Sequence, residues 1–118
     1  MARYVVMFPA DNEAEWDAGS EADHQAVYDT DEEFVRLLEK RGGAVTGGRE
    51  LAGSRRAHTI RRGPNGTALV TEGPYSESAE QLSGFYLVTT ENEVGLLEAA
   101  EVLVRAHPAV EIRAVEES

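Results

Sequence analysis

Phe85-Tyr86-Leu87-Val88-Thr89, a helical stretch from Glu91 to Ala106, and Val110-Glu111-Ile112-Arg113-Ala114-Val115 decide the fold. The first run is short and apolar, as a buried strand requires. The second places Val94, Leu96, Leu97, Val102 and Leu103 as apolar anchors, and His107-Pro108 ends it. The third alternates apolar and polar residues, which predicts a strand with one wet face.

The same strand–helix order stands at the other end of the chain. Tyr4-Val5-Val6-Met7-Phe8, stopped by Pro9, reads as a buried strand. Asp11 to Ala22 is acidic and reads as a loop or a single helical turn, with Trp16 covering a core edge. Asp23 to Arg41 puts Val27, Phe34, Leu37, Leu38 and Arg41 on one helical face. Its early acids, Asp29 to Glu33, suit the positive end of a helix dipole, so regular helix is expected to start near Asp29. Gly42-Gly43 closes it.

Between the two units lie shorter strands, Ala44 to Leu51, Arg55 to Arg62 and Ala68 to Thr71. Gly63-Pro64-Asn65-Gly66 marks a hairpin between the last two. Strand–helix–strand at each end, with strands between, predicts an α+β, ferredoxin-like antiparallel sheet with two helices on one face. One sheet face is then left bare, and a second copy of the chain is its expected cover. The expected assembly is a homodimer.

At 118 residues the chain suits one domain, taken as residues 1–118. A chain of this size buries roughly two-thirds of its unfolded surface, enough for a core without disulfides or metal. It has no cysteine, which excludes thiol catalysis and thiolate zinc sites. The formal charge is −11. Lys40 is the single lysine, and nucleic-acid or anionic membrane binding needs clustered basic side chains. No apolar run approaches the roughly 20 residues of a spanning helix. Met1-Ala2-Arg3-Tyr4 leads directly into a strand-like run without a signal-peptide pattern, so the expected location is the cytoplasm.

Val70-Thr71-Glu72-Gly73-Pro74-Tyr75-Ser76-Glu77, followed by Glu80-Gln81-Leu82-Ser83-Gly84-Phe85-Tyr86-Leu87, resembles the signature of DGPF-type proteins of the YCII-related superfamily. Gly47-Gly48-Arg49-Glu50-Leu51 and the opening strand followed by Trp16 are similar too. The resemblance implies a ferredoxin-like fold that dimerises into an α/β barrel. It does not imply one activity. Most members are uncharacterised, some sit near sigma-factor genes, and a related YCII protein is a dehydrochlorinase. A His–Asp pair early in the first helix is a proposed active site in YCII proteins, and the matching region here is near Asp31. Glu72, Tyr75 and Ala79 stand where the pattern has Asp, Phe and Lys.

Gly73 and Pro74 make a rigid elbow flanked by Glu72 and Glu77, with Tyr75 at its tip. One reading has this loop line a pocket with a carboxylate placed for proton transfer. The other has it as a structural corner. His58 shares a strand face with Ile60, which would turn it into the barrel as a general base. His58, Glu72, Tyr75 and Glu77 are therefore the first set of candidate catalytic residues. His24 and Asp31 are the second set, with acids nearby for a His–carboxylate pair. His107 reads as a cation at a helix C-terminus. No cofactor or metal motif is present: the acidic clusters lack a calcium loop and the glycine pairs lack a phosphate loop.

Two functions remain open on these residues. One is a small-molecule-binding homodimer with a general acid–base pocket, of lyase or isomerase type. The alternative is a non-catalytic regulatory or interaction module linked to sigma-factor-dependent transcription.

Overall fold

The computed structural model describes residues 2–117. The strands and helices run β1 (Ala2–Met7), β2 (Asp11–Asn12), α1 (Glu13–Ala18), α2 (Glu21–Lys40), β3 (Ala44–Glu50), β4 (His58–Arg62), β5 (Ala68–Glu72), β6 (Glu80–Gln81), β7 (Gly84–Thr90), α3 (Glu93–Ala100) and β8 (Glu111–Ala114). The main sheet is antiparallel, in the order β3-β7-β1-β8. With α2 joining β1 to β3 and α3 joining β7 to β8, this is the ferredoxin-like arrangement.

Period-two alternation sorts the sheet. Tyr4, Val6, Phe8 and Val88 turn to the helical layer and are buried with Phe34 and Leu38 of α2 and Leu96, Ala99 and Ala100 of α3. Val5, Met7, Phe85 and Leu87 turn the other way, and no element of the chain covers them fully.

Several elements differ from the sequence reading. The acidic stretch after Pro9 holds β2, the short helix α1 and the first turn of α2. α2 begins well before Asp29 because Ser20 and Asp23 form a capping box: the Ser20 hydroxyl accepts from Asp23 N–H, and the Asp23 carboxylate accepts from Ser20 N–H. That reciprocal pair satisfies two of the orphan donors at the helix start. The stretch from Glu91 to Ala106 is not one helix: α3 tightens into a 3₁₀ turn, Glu101–Arg105. Leu96, Val102 and Leu103 are buried as expected, but Val94 and Leu97 face outward. Leu96, Ala99, Ala100 and Leu103 recur at i, i+3, i+4 and i+7 and so take the buried face, which leaves Val94 and Leu97 off it.

β4 and β5 stand apart from the main sheet as a two-stranded hairpin, with Ile60 opposite Val70 and His58 opposite Glu72. Asn65 (φ 60°) and Gly66 (φ 77°) both take left-handed angles at its tip, as Asn-Gly hairpins do. Among the described residues, no helix is long and apolar enough to cross a membrane.

Candidate active site

Four elements bring one polar chain together beneath a cleft. The 3₁₀ turn after α3 leads into His107, whose backbone N–H donates to the Leu103 carbonyl over 3.0 Å. That turn aims the imidazole inward, where its ring stacks on Phe8 at 3.9 Å between centroids. β2 carries Asp11, and α2 carries Asp31 in its second half. His107 Nδ1 donates to Asp11 Oδ2 at 2.9 Å, and Nε2 donates to Asp31 Oδ1 at 3.0 Å. The outer partners complete the chain: Ser83 Oγ donates to Asp11 Oδ2 at 2.6 Å, and Tyr86 Oη donates to Asp31 Oδ2 at 2.9 Å.

A ring with a carboxylate on each nitrogen must donate from both, and so is an imidazolium. Burial opposes that charge, since only 6% of the His107 surface is exposed. The hydrogen bonds and charges of Asp11 and Asp31 outweigh burial and carry the imidazole up to about 9. Burial likewise opposes ionisation of Asp11, but the bonds from His107 and Ser83 and the imidazolium charge hold its carboxyl below the ordinary value. Burial, the Asp31 charge and the bond to Asp31 push the Tyr86 phenol well up, so it stays a donor. Among the described residues, every buried side-chain nitrogen and oxygen has a partner.

The cleft above this chain measures about 920 Å³. Phe8, Trp16, Tyr28, Tyr86 and Val104 line it with the two aspartates and His107. Trp16 packs face to face with His24 at 3.8 Å and edge-on to Tyr28 at 5.8 Å. Gly48 forms part of the floor at φ 135°, and a Cβ there would run into the Phe85 carbonyl oxygen and the Tyr86 ring. Among the described residues, no group of three or more histidines and acids is set to hold a metal ion.

The candidates from sequence fall in different places. Asp31 is in the chain. His24 is in the cleft wall, but its Nε2 donates to the Trp16 carbonyl at 2.7 Å, so the expected His–carboxylate pair forms at His107 instead. The first set does not gather in the cleft. His58 and Ile60 are exposed on β4 and do not turn inward, because β4 left the main sheet. Glu72 is exposed across from His58, and Glu77 is exposed in the loop beyond. Tyr75 is 75% exposed, with the Arg61 guanidinium 4.6 Å above its ring. His107 is a cation just past a helical turn, and a buried one: it is the centre of the polar chain. Asp11, Ser83 and Tyr86 join it without having been singled out in the sequence.

A solved structure of At3g17210 from Arabidopsis thaliana aligns over 100% of this chain and 96% of its own, at 9% identity and a TM-score of 0.41. No curated protein sequence matches the chain. The YCII-related domain family matches residues 2–118. With nearly the whole chain covered, this protein belongs to the YCII-related family.

Proposed function

We propose that the cleft binds a small molecule and moves a proton on it by general acid–base chemistry, as a lyase or isomerase does. The observation that carries this reading is the buried His107 imidazolium held between Asp11 and Asp31 at the wall of a cleft large enough for a metabolite. With His107 protonated and both aspartates ionised, the three groups carry a net charge of −1. A proton taken by one aspartate leaves the set neutral, and the lowered Asp11 carboxyl then gives it up readily. Asp11 is the group placed to take that proton. Its Oδ2 already accepts from His107 and Ser83, while Oδ1 has only a longer approach from His107, at 3.2 Å. The proton then returns to another atom of the same molecule in an isomerisation, or goes to the departing group as its bond to carbon breaks in an elimination, leaving the site as it began. His107 and Tyr86 hold the carboxylates in place during the transfer.

The working unit in this proposal is a homodimer. Val5, Met7, Phe85 and Leu87 form an apolar strip on the sheet face away from the helices, and a second copy supplies an isologous cover. The sequence Val70-Thr71-Glu72-Gly73-Pro74-Tyr75-Ser76-Glu77 supports placing the chain in the DGPF-type branch of the family.

The test is a ligand-observed NMR screen of small neutral carbon acids in deuterated buffer. A compound that contacts the cleft should exchange a carbon-bound proton for solvent deuterium on the wild type, and Asp11→Asn should abolish exchange while leaving binding within a few-fold. Exchange that persists in Asp11→Asn, or a screen in which nothing reaches the cleft, would contradict the proposal.

A further inference from the structure

The β4–β5 hairpin is folded but uncovered. Every residue of β5 is exposed, as are all of β4 except Thr59. The facing pair Ile60 and Val70 leaves 69% and 67% of each residue open to solvent. A lone two-stranded hairpin is marginal in water and needs a surface to lie on. The chain as a whole is correspondingly spread, with a radius of gyration of 16.4 Å, against about 13.5 Å for a compact domain of this length.

The hairpin is nevertheless tied at its root to α1. The Glu13 carboxylate accepts from Ser54 N–H at 2.7 Å and from the Ser54 hydroxyl at 2.8 Å. Within the arm, Gly73 N–H donates to the Ala57 carbonyl at 2.7 Å, and Arg61 donates to the Tyr75 carbonyl at 3.1 Å. This is an arm with a set direction, and a set direction lowers the ordering cost of docking.

Its charge says what it fits. Residues 54–75 carry Arg55, Arg56, Arg61 and Arg62 against the single acid Glu72, in a chain whose total is −11. The cleft lining has the opposite balance: its acids, the exposed Glu15 and Asp17 of α1 among them, outnumber Arg49 and Arg105, and Val104 is exposed on the 3₁₀ turn. We infer that, in the homodimer proposed above, the β4–β5 arm of each copy lies across the cleft rim of the other, Ile60 and Val70 against Val104 and the arginines against Glu15 and Asp17. The partner therefore closes each site, and the cleft of an isolated chain is incomplete. The inference rests on the dimer, and the dimer does not depend on it, because the sheet seam is a separate surface.

Trp16 is the only tryptophan and stands in the cleft wall, so its fluorescence reads the closure. Acrylamide quenching and light scattering are measured on the wild type, on Arg55→Glu/Arg62→Glu in the arm, and on Glu15→Lys/Asp17→Lys in the rim. All four positions are exposed, so the fold should tolerate the changes. A dimeric wild type with protected Trp16, a several-fold rise in quenching for each variant alone, and restored protection when the two variants are mixed support the inference. A dimer whose Trp16 quenching is the same in all samples overturns the arm placement and leaves the dimer standing. A monomeric wild type overturns both. Protection lost in each variant but not restored on mixing overturns the proposed pairing of arm with rim.

Discussion

His107 Nε2 donates to Asp31 Oδ1 over 3.0 Å, and that bond ties the turn after α3 to the middle of α2. With the bond to Asp11 it fixes three elements on one ring. Removing the ring should cost accordingly. His107→Ala leaves Asp11 and Asp31 facing each other with no cation between them, and breaking a buried pair in this way costs about 3–5 kcal/mol. Urea unfolding should show that loss as a lower midpoint at pH 7. A midpoint within error of the wild type would mean the imidazole contributes nothing to the fold.

Stability should fall on the alkaline side. His107 titrates near 6.5 in the unfolded chain and at about 9 when folded. A raised value stabilises fully below the unfolded one and is lost as pH climbs through the folded one. The window is therefore pH 6.5 to 9, and the linked loss is on the order of 3 kcal/mol. At the acid end the lowered Asp11 value acts in the opposite direction, with its contribution lost as pH falls through the folded value. Denaturation midpoints across pH 6 to 10 check both the sign and the window, and a flat profile above pH 6.5 would contradict them.

Tyr86→Phe keeps the ring among Phe8 and Phe34 but takes the donor from Asp31 Oδ2. A hydrogen bond to a charged partner is worth about 1.5–3 kcal/mol, and the variant should lose an amount in that range. Thermal melts of the two proteins side by side decide it. A more stable variant would show that the hydroxyl is not bonded as described.

Gly48→Ala should damage the fold although it adds only a methyl group. At φ 135° an L side chain is strained, and the new carbon would meet the Phe85 carbonyl and the Tyr86 ring. A loss of about 1–3 kcal/mol is expected from the backbone alone. Gly53→Ala, where nothing lies within 4 Å of the added carbon, is the control and should change little. Equal effects at the two positions would contradict the argument.

Much of the main sheet and both principal helices were legible because each is a local pattern. The apolar runs around Val6 and Val88 and the helical face of Phe34 and Leu38 announce buried elements directly. The Asn65-Gly66 turn announced its hairpin for the same reason. Where that hairpin goes was not legible, since β4 alternates equally well in a central sheet or on a free arm. That ambiguity makes His58 read as a barrel-interior residue. The site was harder still. Asp11 and His107 stand 96 residues apart, and no spacing links them. The one usable signal is His107 itself, a lone titratable ring closing a helix, and the Pro108 after it makes it read as a cation at the helix exit. The capping box of Ser20 and Asp23 was readable from the sequence and would have set the start of α2 correctly.

The central claim is that His107 is a doubly donating imidazolium between Asp11 and Asp31. Nitrogen-15 NMR of the histidine side chains across pH 6 to 10 tests it most directly. The account predicts that both His107 ring nitrogens carry protons at pH 7.5 and that the ring titrates at about 9. A neutral His107 ring at pH 7.5, titrating near the ordinary 6.5, would contradict it.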